Sequence, residues 1–166
     1  IDIHPQEYEA PGRSDAKYLR QIVKACQTLA GQVEAALSKS EFPLILGGDH
    51  SIALGSIAGV SAACHKDGRR LGVLYVDAHG DFNTNETSPS GNIHGMCLAA
   101  SCGYGLPELV NLYTSNTKLA PENVCYVGLR DIDPEEKKLM KEAGDKLDDG
   151  DKAGVNAELD KLKEAL

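Results

Sequence analysis

Short apolar runs alternate along this chain with longer segments whose apolar residues have helical spacing. The runs 42–46, 71–76 and 124–127 are predominantly apolar, and each is followed by glycine or aspartate. Such runs are typical of buried strands in a parallel sheet. We therefore predict three buried strands at these positions.

The intervening segments predict helices. Ser14 is a candidate N-cap for a helix ending near Ser38, in which one face carries regularly spaced apolar residues: Leu19, Ile22, Val23, Cys26, Leu29, Ala30, Val33 and Leu37. Further helices are expected over 51–65, 95–102, 106–114 and 133–143. Helices that alternate with short strands indicate an α/β domain, with helices on both faces of a mainly parallel sheet, that is, three α/β/α layers.

Composition and charge exclude several classes of protein. The 166 residues are 42% apolar and 25% charged, as in ordinary globular domains, and the net charge is −8. An acidic chain with 5% aromatic residues is poorly suited to bind nucleic acid. There is no apolar run of the ~20 residues that cross a bilayer, and the first five residues do not resemble a secretion signal, so no membrane association is expected. The five cysteines form no C-x-x-C pair, which favours a reducing, cytoplasmic location.

The segment Asp77-Ala78-His79-Gly80-Asp81 directly follows the second predicted strand. Residues two apart on extended backbone face the same way, so Asp77, His79 and Asp81 can converge at the carboxyl end of that strand. Two carboxylates and an imidazole suit Mn²⁺ and other divalent ions, whereas a structural zinc site would favour thiolates. Neighbouring carboxylates also repel each other unless a cation lies between them.

A second polar cluster follows the first predicted strand. In Gly47-Gly48-Asp49-His50-Ser51, the paired glycines permit a tight turn between strand and helix. His50 is expected at the same sheet edge as Asp77, where ligands of parallel sheets bind, and we interpret it as a fourth metal ligand. Asp49 is expected to orient the His50 ring.

The loop 81–94 offers amides, hydroxyls and one further imidazole, but ordinary turn chemistry explains its Ser, Asn, Gly and Pro residues equally well. Further along, Asp133 precedes Pro134 and lies three residues before Glu136. That spacing is typical of a capping box at the start of a helix.

Four motifs in order resemble the arginase family of ureohydrolases: GGDHSIALGSIAG, VDAHGDFNT, SGNIHGM and GLRDIDPEE. The resemblance extends from the first predicted helix to Ala143. It implies an arginase-like α/β fold, incomplete at both ends. It also implies hydrolysis of the guanidinium group of L-arginine to L-ornithine and urea, by a hydroxide that bridges two Mn²⁺ ions.

The resemblance also assigns metal ligands. His50, Asp77 and Asp81 would bind one ion, while Asp77 and His79 would bind the other, so that Asp77 bridges the pair. Guanidinium is a poor electrophile, and metal ions can supply hydroxide at neutral pH.

The same resemblance assigns the substrate side of the site. His94 matches the proton-transfer histidine of the family, and an imidazole suits that role because it titrates near neutral pH. Asp133 matches a position that receives the α-ammonium group of the substrate. The positions that recognise its α-carboxylate are matched by Asn83, Ser90 and Asn92.

The chain departs from the family pattern at both ends. Residues 1–143 correspond to a partial catalytic domain, whereas 144–166 form an acidic linker and a short amphipathic helix of divergent sequence. The resemblance implies that a D-x-D strand in the C-terminal half completes the metal pair, and no such strand follows Ala143, because Asp149-Gly150-Asp151 has no apolar run before it. We therefore expect an incomplete second metal site, weak metal binding and faint catalysis.

Three other functions remain open from sequence. The chain could be a non-catalytic product that associates with itself or with a full-length relative, since arginases form homo-oligomers (trimers). An agmatinase-type guanidino hydrolase is a weaker enzyme alternative because agmatinases differ in the S-G-N-x-H loop. A metal-dependent deacetylase is weaker still, since its metal motifs differ from the pair present here.

Overall fold

Two parallel strands form the sheet in the described part of the chain, residues 10–145 of a computed structural model. Strand β1 spans Val73–Val76 and β2 spans Val124–Val127, with Val73 opposite Val124 and Val76 opposite Val127. The expectation of an α/β fold with a parallel sheet is confirmed. Strand β1 begins two residues later than its apolar run.

The described residues also form five α-helices and two 3₁₀ segments. The α-helices are α1 (Leu19–Ser38), α2 (Ile52–Lys66), α3 (Cys97–Ser101), α4 (Pro107–Val110) and α5 (Pro134–Asp145). The 3₁₀ segments are Ile93–Met96 and Pro121–Asn123. None of the helices within residues 10–145 is long and apolar enough to cross a membrane.

Helices α1 and α2 pack closely because α2 presents small residues. A β-carbon at Gly55 would lie 2.7 Å from the carbonyl oxygen of Cys26, and one at Gly59 would lie 2.5 Å from that of Ala30. Ordinary side chains at these two positions would push the helices apart. Helix α2 begins two residues after His50, so this close packing fixes the end of the loop that carries that side chain.

The core lies on one face of the sheet. Tyr75 is buried on that face together with residues of α1, α2, α3 and the 3₁₀ segment before α3. On the other face Leu74 is 64% exposed, Val76 72% and Val127 45%. The described helices therefore cover one side of the sheet.

The prediction of a strand at 42–46 is wrong. Phe42, Leu44 and Leu46 are 90%, 75% and 85% exposed, and residues 42–46 make no backbone–backbone hydrogen bond to another described residue. A strand needs a neighbouring strand to satisfy its peptide groups, and no strand of residues 10–145 lies beside this segment. An apolar run is therefore not sufficient to predict a strand.

Two helix boundaries also differ from prediction. Helix α1 begins at Leu19 rather than after Ser14, since the backbone of 14–17 packs against the loop at Gly91 and Tyr18 adopts a left-handed φ of 57°. The helix predicted over 106–114 is the single turn Pro107–Val110, followed by bends and by Tyr113 at φ 66°. Residues 146–166, including the predicted linker and amphipathic helix, lie outside the described residues, so the domain division stays a prediction.

Candidate metal centre

The loop after β1 is attached to the loop after β2 by main-chain hydrogen bonds. The Asp77 N–H donates to the Val127 carbonyl at 3.1 Å, and the Ala78 carbonyl accepts from the N–H groups of Arg130 and Asp131, both at 2.9 Å. Parallel bridging continues to His79 opposite Asp131. The polar residues thus occupy fixed positions at the carboxyl end of the sheet, where ligand sites of parallel sheets lie.

Three of the predicted metal ligands come together there. The Nδ1 atom of His50 lies 2.8 Å from Oδ2 of Asp81 and 3.2 Å from Oδ2 of Asp77. One ligand atom from each residue lies within 4.8 Å of the other two. An imidazole nitrogen and two carboxylate oxygens at this spacing form a donor set for a divalent cation.

The two carboxylate oxygens of Asp77 face different histidines. Oδ2 faces His50, whereas Oδ1 accepts a hydrogen bond of 2.9 Å from the His79 N–H and lies 3.2 Å from His79 Nδ1. His79 is outside the three-residue cluster, with its ring 60% exposed and its Nε2 3.7 Å from Oδ2 of Asp131. Asp77 therefore links the cluster to a second, more open position.

The surroundings of Asp77 favour its charged form. Partial burial acts to raise the pKa of Asp77, but the hydrogen bond from the His79 N–H and the nearby His50 and His79 rings outweigh burial and lower that pKa below its ordinary value. The carboxylate is therefore available as a ligand throughout the neutral range.

Asp81 is held by its backbone as well as by its side chain. It is 5% exposed, and its φ of 48° lies in the left-handed region, which aspartate tolerates better than most residues. Its carbonyl accepts hydrogen bonds from Leu98 at 2.9 Å and Ala99 at 3.3 Å, at the start of α3. This backbone conformation directs the side chain of a buried residue into the cluster.

The cluster opens into a cleft of about 310 Å³. Eight of the nine predicted site residues line it: His50, Asp77, His79, Asp81, Asn83, Ser90, His94 and Asp133. The ninth, Asn92, is not among the lining residues and has its N–H 3.2 Å from Ser90 Oγ. The loop 81–94 and the start of α5 thus form the walls of one cleft.

The wall opposite the cluster is a connected polar network. The Asn83 Nδ2 donates to Asp133 Oδ2 at 2.9 Å, and Asn83 Oδ1 accepts from Thr87 Oγ1 at 2.9 Å. Glu136 accepts from the N–H groups of Phe82 at 2.8 Å and Asp133 at 3.1 Å. The second of these bonds is the expected capping-box contact. Burial raises the pKa of Glu136, although both hydrogen bonds oppose the shift.

The arginase family matches this sequence over residues 3–166. The chain belongs to the arginase family. An arginase of Bacillus caldovelox is 48% identical over 136 residues, which are 82% of this chain and 44% of that protein. An arginase of Brevibacillus brevis is 52% identical over 131 residues, 79% of this chain and 43% of that protein. The crystal structure of arginase from Bacillus cereus aligns with a TM-score of 0.76 and 47% identity, covering 80% of this chain and 45% of that chain.

These matches confirm the family and the fold that the four motifs indicate. The arginase family is metal-dependent, and the His50–Asp77–Asp81 cluster of this member is able to hold a metal ion. The chain spans less than half the length of these curated arginases.

The structure adds two residues that the motif analysis missed and corrects a third. Tyr75 contacts both His50 and Asp81, and Asp131 lies beside His79. The continuous apolar run 71–76 gave no signal for Tyr75, and the only signal for Asp131 was its spacing of two residues from Asp133. Asp49 does not orient His50 as predicted: it accepts hydrogen bonds from the N–H and the hydroxyl of Ser51, at the start of α2. The groups that contact the His50 ring are Tyr75, Asp77 and Asp81.

Proposed function

We propose that this chain carries part of an arginase-type active site that hydrolyses the guanidinium group of L-arginine to L-ornithine and urea. The observation that carries this proposal is the convergence of His50, Asp77 and Asp81 at one end of a cleft whose other walls hold the predicted substrate residues. Membership of the arginase family supports the same reaction.

The proposed cofactor is Mn²⁺, bound by His50, Asp77 and Asp81. The donor set of one imidazole and two carboxylates, without a thiolate, fits this ion. Asp77 and His79 are proposed to contribute to a second, incomplete site, because the Oδ1 of Asp77 turns toward His79. When bound, a divalent ion supplies an activated water at neutral pH, which a resonance-stabilised guanidinium requires.

The proposed roles of the substrate residues follow from their charge and position. Asp133 presents a carboxylate for the α-ammonium group, and its Oδ2 is held by the Asn83 amide. That amide has a second N–H for the α-carboxylate, and the Ser90 hydroxyl in the same cleft is a further donor. The role of Asn92, which does not line the cleft, rests on the family resemblance alone. His94 is exposed in the cleft and would protonate the departing amine.

The test is direct. The 166-residue chain is loaded with Mn²⁺, excess metal is removed, and bound manganese is measured together with urea release from L-arginine and from agmatine. We expect bound manganese and slow urea release from L-arginine, and much less from agmatine. His50→Ala is expected to lose both manganese binding and urea release. The matched control His65→Ala changes a histidine of α2 outside the cleft and should keep both. Metal-free protein after loading, or equal losses in the two variants, would contradict the proposal.

His94→Ala separates proton transfer from metal binding. We expect lower turnover with parental manganese content, because His94 is not in the ligand cluster. Matching loss of manganese would make His94 a ligand instead.

A second candidate function is self-association without catalysis, favoured by the apolar face described above. Leu74, Val76 and Val127 are exposed on one sheet face, and a second copy offers the same surface for a two-fold interface. Val76→Lys is expected to shift the chain toward monomer in sedimentation velocity, whereas Gln27→Lys on exposed α1 adds equal charge and should not. A monomeric parent chain at all concentrations would exclude this function.

The proposed location is cytoplasmic. All five cysteines are unpaired thiols, as a reducing compartment would maintain them.

A further inference from the structure

A buried tyrosine lies directly behind the candidate metal ligands. Tyr75 is the third residue of β1 and is 6% exposed. Its hydroxyl lies 2.7 Å from Oδ2 of Asp81 and 3.2 Å from Nδ1 of His50. Its ring stacks on the His50 ring, with centroids 5.1 Å apart and planes at 19°. The phenol thus contacts two of the three ligand residues at the atoms that face each other, His50 Nδ1 and Asp81 Oδ2.

A second tyrosine supports this arrangement from the neighbouring strand. Tyr126 is paired with Tyr75 across the sheet, and their rings meet edge to face with centroids 5.9 Å apart. The Tyr126 hydroxyl donates to the Gly80 carbonyl at 2.8 Å, one residue before Asp81. Tyr75 is therefore held on a rigid strand by a neighbour that also fixes the ligand loop.

The donor and acceptor capacity of the two groups determines the direction of the hydrogen bond between Tyr75 and Asp81. A phenol has one proton, and a carboxylate is an acceptor only, so the Tyr75 hydroxyl donates to Asp81. The acceptor is Oδ2 of Asp81, 2.7 Å from the phenol oxygen. The same Oδ2 atom lies 2.8 Å from His50 Nδ1, so the phenol fixes the oxygen at the centre of the donor set.

We propose that Tyr75 is a positioning residue of the metal centre: its hydroxyl orients the Asp81 carboxylate, its ring orients the His50 imidazole, and together they set the affinity for a divalent cation. This inference rests on the proposed metal site. Outer groups that orient ligands are commonly worth 10- to 100-fold in metal affinity. A tyrosine that merely filled the core would affect folding stability and leave the affinity unchanged.

The test is the affinity of the full chain for Mn²⁺, measured by the loss of the electron paramagnetic resonance signal of free Mn²⁺ during titration. Tyr75→Phe keeps both ring contacts and removes the hydroxyl. Tyr113→Phe is the matched control, since its hydroxyl also donates to a carboxylate, that of Glu34, but far from the cleft. We expect Tyr75→Phe to weaken Mn²⁺ binding about 10-fold or more, and Tyr113→Phe to leave it at the parental value.

A second pair of variants tests the route through Asp81. In an Asp81→Ala background the additional Tyr75→Phe change should alter the remaining affinity less than threefold, because the acceptor of the phenol hydrogen bond is gone. An equal loss in both backgrounds overturns the proposed route.

Each remaining outcome is informative. Unchanged affinity in Tyr75→Phe overturns the inference while leaving the metal site intact. A Tyr75→Phe chain that is unfolded by circular dichroism makes Tyr75 a fold-stabilising residue and also overturns it. Failure of the parent chain to bind Mn²⁺ overturns both this inference and the proposed metal site.

Discussion

Gly91 offers a sharp test of how the loop of the candidate site is built. Its φ is 67°, and an added β-carbon would lie 1.9 Å from the carbonyl oxygen of Ser14. That oxygen belongs to the backbone and cannot rotate away. The same two segments are joined by a hydrogen bond of 2.9 Å from the Lys17 N–H to the Gly91 carbonyl. Gly91→Ala therefore forces the segment before α1 away from the loop that carries Ser90 and His94.

The chain contains a matched control for this substitution. Gly68 follows α2 with a nearly identical φ of 65°, and nothing lies within 4 Å of its added β-carbon. Gly68→Ala introduces only the cost of a left-handed alanine, about 1–2 kcal/mol. Gly91→Ala adds overpacking of about 1–3 kcal/mol and a lost backbone hydrogen bond of about 1 kcal/mol. We expect Gly91→Ala to cost about 2–4 kcal/mol more than the control.

Urea denaturation followed by far-ultraviolet circular dichroism measures this difference. With a slope of about 1–3 kcal/mol per molar urea, the two midpoints should differ by about 0.7–4 M. Since domain stabilities are about 5–15 kcal/mol, the Gly91 variant is expected to lose a large share of its total. Equal midpoints for the two variants would refute the reasoning, because the contact between Gly91 and Ser14 would then have no energetic consequence.

Four further predictions concern other features of the structure. Burial raises the pKa of Cys26 to about 11 and that of Cys102 to about 12. Alkylation at pH 8 should therefore modify half-buried Cys64 and Cys125 first. Mass mapping that finds Cys26 modified equally fast would contradict this. Glu136→Gln should cost about 1–3 kcal/mol in urea denaturation, because one amide group cannot accept from both backbone donors. The raised pKa of Glu136 means that the folded state binds its proton more tightly than the unfolded state, so the parent should gain stability relative to Glu136→Gln as the pH falls from 7 to 5, and a constant difference would contradict this. Asp77→Asn should abolish stoichiometric Mn²⁺ binding, measured by metal analysis, whereas Asp67→Asn at the exposed end of α2 should not.

Several periodic elements were predictable from local sequence, and so was the proximity of two of the carboxylates in the candidate site. Helix α2 and strand β2 lie where their patterns predict them, because local periodicity and flanking polar residues are sufficient signals for such elements. Asp77 and Asp81 follow strand β1, so their position at the carboxyl end of the sheet was predictable, whereas His50 reaches them from the turn before α2 and not from the end of a strand.

Three features depend on contacts between segments that are distant in sequence, and the sequence alone did not reveal them. The apolar run 42–46 is no strand, because strand formation requires a partner and not only apolar residues. The start of α1 moved to Leu19 because its first residues pack against Gly91, far along the chain. The placement of Tyr75 behind two ligands was likewise invisible, because a buried strand residue and a ligand-orienting residue have the same pattern in sequence. Periodicity is local, whereas pairing, close packing and the direction of a buried hydroxyl arise only when separated segments meet.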